Sequence, residues 1–410
     1  MKKFDVASLR LQFPMLQRKM HGKPLIYFDS AATALKPKSV IDAIANFYQH
    51  QYGTVHRAIY DLSAVSTQMY EQTREKVRQF LNAANSTEII FTKGTTDAIN
   101  LVAHSFGKAF IKAGDEIIIS EMEHHSNIVP WQILCENTGA ILRIIPVCDR
   151  ATLQIDKFRN LLNSRTKLVS ISHVANATGT VNPIEQIIKM AHALGAKVMI
   201  DGAQAVQHIP VDVQGLDVDF YAFSGHKLYG PTGIGVLYGK EDLLNKMPPY
   251  QGGGDMIEHV TLEKTTYNRL PLKFEAGTPP IAQVSGLGAA IDYLNEIGLT
   301  HIAQWEHELY TYAEEKIRNI PKVRLIGDAP NKSSIITFVI EGVHPLDVGT
   351  LLDMQGIAIR TGHLCAQPTM QRFGITSACR VSLAFYNTKE EVDYFIKSLQ
   401  NAILQLQPLL

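Results

Sequence analysis

The sequence predicts an α/β layered domain followed by a smaller α+β domain. Two observations carry that reading. Between about residues 88 and 240, short apolar runs alternate with amphipathic stretches of helical length, the pattern of strands covered by helices. Beyond about Thr300 the order changes to helix, strand, helix, strand, strand, helix, which suits a separate unit. We draw the boundaries as an N-terminal arm at 1–20 associated with the small domain, a large domain at 21–298 and a small C-terminal domain at 299–410.

Each element has its own signal. Glu88-Ile89-Ile90-Phe91 reads as a strand, and Gly94-Thr95-Thr96 leads from it into a helix from Asp97 to about Phe110. Glu116 to Ile119 and Leu168 to Ile171 are further strands. A helix from Ile184 to Leu194 stops at Gly195, a residue that tolerates the left-handed backbone of a helix end. It leads into the Val198-Met199-Ile200 strand, which ends at Asp201. The Val218 to Phe223 strand precedes Ser224-Gly225-His226-Lys227, and Gly233 to Tyr238 reads as a strand packed closely enough to need glycine. In the smaller unit we expect a helix from Ile302 to Ile320, a strand from Ser334 to Ile340 and a helix from Leu346 to Gln355. Strands at Ile357–Arg360 and Arg380–Ala384 follow. Thr388-Lys389-Glu390-Glu391 has capping-box spacing and opens the last helix.

Composition narrows the function classes. The 410 residues carry 39 basic and 39 acidic side chains, and no long basic run supplies the phosphate-neutralising surface of a nucleic-acid binder. No apolar run approaches membrane-spanning length, and Asp5 and Arg10 interrupt the apolar content of the N-terminus, unlike a signal peptide. Four cysteines, none in a Cys-x-x-Cys pair, do not make a disulfide scaffold. We expect a cytoplasmic protein that binds neither nucleic acid nor membrane.

The chemistry sits at strand ends. Asp201 and Lys227 each close an apolar strand. A lysine amine and a carboxylate so placed are what pyridoxal phosphate needs: the amine holds the aldehyde as a Schiff base and the carboxylate keeps the pyridine nitrogen protonated. Gln204 is a donor for the phenolic oxygen, and Ser224 and His226 are phosphate donors. Thr95 and Thr96 lie at a helix start, where free N–H groups attract phosphate, although an ordinary helix cap has the same sequence. His124-His125 supplies an imidazole to stack on the ring; adjacent residues point apart, so metal binding is the weaker reading. In the second unit, Arg360 to Pro368 forms a loop bounded by Gly362 and Pro368, with arginine and histidine near Cys365, a setting that favours thiolate. Cys135, Cys148 and Cys379 read as small buried hydrophobes. Arg380 suits a carboxylate grip or a surface ion pair, and sequence alone leaves both open.

The segments Asp201 to Gln204, Ser224 to Lys227 and Arg360 to Pro368 resemble the SufS-type (group II) cysteine desulfurases of the class V aminotransferase superfamily. The resemblance extends over essentially the whole chain, including Tyr27 to Ala32 and Phe274 to Pro279. It implies the fold-type I of pyridoxal-phosphate-dependent transferases: a large mixed-sheet α/β domain and a smaller α+β domain carrying the catalytic cysteine loop, in a homodimer with the active site at the subunit interface. By position it implies Lys227 as the Schiff-base residue, Asp201 as pyridinium partner, Gln204 at the phenolic oxygen and His124 on the ring, with catalytic work for His124 as well. Thr95, Thr96, Ser224 and His226 match the phosphate cup, and Thr278 matches a residue reaching the phosphate from the other subunit. His56, with Arg57, matches an interface segment near the substrate. Asn176, Arg380 and Arg360 match substrate-side residues, and Cys365 the nucleophile. The implied partners are L-cysteine, with selenocysteine as a related substrate, and a SufE-like or SufU-like sulfur acceptor serving iron–sulfur cluster assembly. Leu364 departs from the pattern, because many relatives carry a second histidine there. Two rivals make different demands: another class V enzyme, an aminotransferase or kynureninase-like hydrolase, has no need of Cys365, and a non-catalytic sulfur-transfer scaffold has no need of Lys227.

Overall fold

A computed structural model describes residues 4–406. Its centre is a seven-stranded mixed sheet in the order Ile89–Thr92, Gly235–Gly239, Phe220–Ser224, Lys197–Asp201, Thr166–Ser172, Glu116–Ser120, Ile141–Ile145. The Gly235–Gly239 strand runs antiparallel to both neighbours and the other pairings are parallel. Parallel strands need crossovers that cover both faces, so most of these strands are buried along their whole length and read as continuous apolar runs. Two apolar clusters result: one around Val169, Ile200 and Phe223, the other around Ile99, Trp131 and Leu237.

The smaller unit is an antiparallel sheet in the order Val323–Leu325, Ile335–Ile340, Ala378–Ser382, Arg360–Gly362. Its apolar cluster takes residues from helices Leu299–Arg318, Pro345–Asp353 and Lys389–Leu406, among them Leu309, Leu352 and Phe395. The break between helices Ile281–Ile297 and Leu299–Arg318 falls at Gly298, whose φ of 87° glycine adopts freely. The Thr388 box forms as expected: Glu391 N–H donates to Thr388 Oγ1 (3.2 Å) and Thr388 N–H donates to Glu391 Oε2 (3.2 Å).

Several expectations need adjusting. The first long site helix is Thr95–Phe110, starting two residues before Asp97 because Gly94 is its N-cap. Glu88 belongs to a 3-10 turn, where its carboxylate accepts from Ala84 and Asn85 N–H groups rather than entering the strand. The single strand expected at Ile357–Arg360 is two. Ile357–Ala358 pairs in parallel with Ile26–Tyr27, whereas Arg360–Gly362 pairs with Arg380 to Ala378. The strand expected to begin at Arg380 begins at Ala378 and holds Arg380 at its middle.

The N-terminal segment bridges both units. Ile26 and Phe28 join the small domain's core, Ser382 N–H donates to Phe28 O (2.8 Å), and Arg10 pairs with Glu391 (2.7 Å). Phe13 packs instead against Tyr229, Tyr293, Phe385 and Tyr386 in the large domain's core cluster. The association with the small domain therefore reaches past residue 20 to Asp29, which bridges to Ser382.

Candidate active site

In an open α/β sheet, ligands gather beyond the carboxyl ends of the parallel strands, and most of the sequence-predicted residues lie there. A cavity of about 260 Å³ is lined by Thr95, Thr96, His124, Asn176, Asp201, Gln204, Ser224, His226 and Lys227 of the large domain. Arg360, Cys365 and Arg380 reach it from the small domain. Thr278 and His56 do not line it. Thr278 is exposed, on a segment fixed by Glu275, whose Oε1 accepts from Phe91 N–H (2.7 Å) and from buried Arg74 (2.7 Å). His56 pairs with Glu71 (3.0 Å), and Arg57 with Asp255.

One end of the cavity is built for an anion. The N-terminus of the 16-residue Thr95–Phe110 helix points there, carrying unpaired N–H groups and partial positive charge. Thr95 N–H donates to Ser224 Oγ (2.8 Å), Thr95 Oγ1 lies 2.7 Å from the same oxygen, and Thr96 Oγ1 lies 2.7 Å from Ser126 Oγ. His226 contacts Thr33 Oγ1 through Nδ1 (3.2 Å), and burial with Lys227 and Lys36 nearby holds its pKa down to about 4.

Asp201 and Lys227 occupy the floor. Asp201 ends its strand buried at the cavity, and Oδ1 accepts Ala203 N–H (2.9 Å). Burial raises its pKa, with Ala203 N–H and Lys227 pulling the other way. Burial lowers that of Lys227, opposed by Asp201 and Cys365 and reinforced by Arg380. A positive charge delivered beside Asp201 therefore lowers the carboxyl again. Gln204 Nε2 donates to Ala31 O (2.6 Å), which fixes the amide at the cavity wall. His124 Nδ1 accepts from Ser126 N–H (3.1 Å), so the proton of the neutral ring sits on Nε2. Burial, then Lys227, holds its pKa down to about 3 and keeps the imidazole neutral.

Arg380 is buried, not the exposed ion-pair partner its sequence position allows. Nη2 donates to Asp29 Oδ1 (3.1 Å) and Nη1 to Asn176 O (3.1 Å), while Nε has no partner among the described residues. Asn176 Nδ2 donates to Leu364 O (2.7 Å), and its Oδ1 likewise has no partner among them. Unmet polar groups at a cavity wall are costly unless a ligand completes them. An anion-binding helix N-terminus, a buried carboxylate near an amine, a neutral imidazole and an incompletely bonded guanidinium fit pyridoxal phosphate carrying an amino acid.

Sequence reading missed Asp29, which holds Arg380 from 351 positions away, and Glu123, buried just before His124. The acid in the Glu123-His124-His125 run was the available signal for the second; the first lies in the Tyr27 to Ala32 segment, to which no role was given.

The profile of the aminotransferase class-V family matches residues 26–395. A cysteine desulfurase of Klebsiella pneumoniae is 54% identical over 97% of this chain and 98% of that protein. A cysteine desulfurase of Synechococcus elongatus is 52% identical over 98% of this chain, which spans only 64% of that longer protein. Among solved structures, the cysteine desulfurase CsdA of Escherichia coli superimposes with a TM-score of 0.92 at 42% identity, covering 99% of this chain and 100% of its own.

Proposed function

The chain belongs to the aminotransferase class-V family, and we propose that it is a pyridoxal-phosphate-dependent cysteine desulfurase. It takes the sulfur of L-cysteine as a persulfide on Cys365 and releases L-alanine. One observation carries the reading: Cys365, brought in by the small domain, lines the same cavity as Lys227 and Asp201. An aminotransferase or kynureninase-like hydrolase has no use for that thiol, and a scaffold has no use for the cavity-lining amine.

The bound cofactor supplies an electron sink for charge developing at the substrate α-carbon. Asp201 would keep the ring nitrogen protonated and the neutral His124 would pack against the ring. Thr95, Thr96, Ser224 and His226 would hold the phosphate, and Gln204 would donate to the phenolic oxygen. Arg380, braced by Asp29 and Asn176, takes the substrate carboxylate in a charge-assisted grip, with Arg360 beside it. Lys227, its pKa already lowered by burial, moves the α-proton. Cys365 thiolate forms a bond to the substrate sulfur as the carbon–sulfur bond breaks, and the electron pair left on carbon is protonated to give alanine. The persulfide then passes to a SufE-like or SufU-like acceptor in the cytoplasm for iron–sulfur cluster assembly, and selenocysteine enters by the same geometry.

We also place the enzyme as a homodimer, with Thr278 and His56 completing the partner's site. Exposed apolar residues at Tyr48, Tyr52, Ile59 and Leu262 support that assembly. No helix among the described residues is long and apolar enough to cross a membrane.

Mass spectrometry after incubation with cysteine tests the reaction. The peptide containing Cys365 should gain one sulfur atom. Cys365→Ala should keep the visible absorbance of bound cofactor and lose sulfide release, and full turnover without the thiol would sink the assignment.

A further inference from the structure

Leu364 and Cys365 are successive non-glycine residues with left-handed backbone, at φ 56° and 54°. Such conformations persist only where the surroundings over-determine them. Leu364 is buried against Ala177, Ala366, Met370 and Ala378, and its carbonyl accepts from Asn176 (2.7 Å). The neighbouring contacts converge on His125. Its N–H donates to Cys365 O (2.9 Å), and its Nε2 accepts from Gln367 N–H (3.1 Å). Its ring lies 5.7 Å from that of His363, whose Nδ1 accepts Cys365 N–H (3.1 Å).

Gln367 opens the short helix Gln367–Arg372, and the N-cap residue Ala366 has no side chain to satisfy the first N–H groups. His125 takes one of them from the other domain. The same helix is tied to the large domain by Thr369 Oγ1 donating to Glu121 O (3.0 Å) and Arg372 Nε donating to Val147 O (2.7 Å).

We propose that His125 is a positioning residue for the sulfur-accepting thiol: its imidazole caps the helix that follows the Cys365 loop and holds that loop over the cavity. The inference rests on Cys365 being the nucleophile. It divides the His124-His125 pair into a ring-facing residue and a loop-holding one. To accept from Gln367, Nε2 must be free of its proton, and burial with His363 nearby lowers the pKa in that direction.

The test uses the holoenzyme with His125→Leu and His125→Gln, because the glutamine amide oxygen replaces the Nε2 acceptor. Amide hydrogen exchange is followed on the peptide spanning residues 361–368, with single-turnover persulfide formation and cofactor absorbance measured alongside. Loss of a helix cap changes an opening equilibrium about fivefold. His125→Leu should speed exchange at Gln367 by about that factor and slow persulfide formation, with the absorbance and the KM for cysteine unchanged. His125→Gln should restore both rates. Unchanged exchange in His125→Leu, or no rescue by glutamine, overturns the proposal. Absence of a persulfide on wild-type Cys365 overturns the functional reading instead, and the exchange result stands apart from it.

Discussion

Glu123 lies one position before His124 and is wholly enclosed. It accepts from Ser120 Oγ (2.5 Å), Asn127 Nδ2 (2.7 Å) and Ser172 N–H (2.8 Å), and Ser172 is the register partner of Asp201. Burial raises its pKa to about 7, with Asp201 adding to the rise and the three donors opposing it. A carboxyl raised from 4.5 contributes stability that is fully present below that pH and is lost as pH climbs through about 7. Glu123→Gln removes the titration and keeps a donor-acceptor set that Ser120, Asn127 and Ser172 can satisfy. The melting temperature of the variant relative to wild type should therefore rise between pH 5 and pH 8; a pH-independent difference would count against a proton held on Glu123. Asp201 and Lys227 were legible because each follows an apolar strand, Cys365 because it sits in a loop with arginine and histidine, and the chemistry of the three is complementary. Glu123 was not, since an acid after a strand is usually a cap, and its enclosure depends on Ser172 from another strand.

The central strands declared themselves through fully buried apolar runs, whereas Ile141–Ile145 did not. It is the edge strand, largely half-exposed, and Arg143 breaks its run to reach Glu116 (3.0 Å). The break at Ile357–Arg360 was hidden because its pairing partners lie far apart in sequence, at Ile26–Tyr27 and Ala378–Arg380. The glycine requirement of the Gly235 strand was readable and has a precise cause. A Cβ at Gly235 would sit 2.4 Å from Gly94 Cα and 2.7 Å from Phe223 O. Backbone cannot yield as a side-chain tip can, so Gly235→Ala must push its strand away from Gly94, the N-cap of the helix whose N-terminus faces the cavity. Overpacking of this kind costs about 1–3 kcal/mol. We expect a lower melting temperature together with weaker cofactor retention on dialysis. A variant that melts and retains cofactor like wild type would show that the two glycines do not set the cup.

At the scale of the whole molecule, the chain brings most of its site together and leaves two sequence-predicted members outside. Thr278 is exposed, and a second cavity lined by Lys93, Gly94, Thr96 and Tyr250 opens beside the phosphate end. His56 sits on the segment that also carries Ile59, whose side chain is fully solvent-exposed. The tilted rings of Tyr48 and Tyr52 lie 5.7 Å apart just before it in the chain, and both are exposed, so large apolar groups cluster at the surface there. Apolar exposure of this kind marks an association surface, and the dimer proposed above would use it to bring Thr278 and His56 to a second chain. Sedimentation should then give twice the 45.5 kDa of one chain. Ile59→Asp introduces a charge that is harmless on a free surface and costly in a buried one. The variant should sediment as a monomer, keep its far-ultraviolet circular dichroism, and lose cofactor affinity because the phosphate end lacks its outside donor. A monomer that holds pyridoxal phosphate as tightly as wild type would show that one chain completes the phosphate site alone.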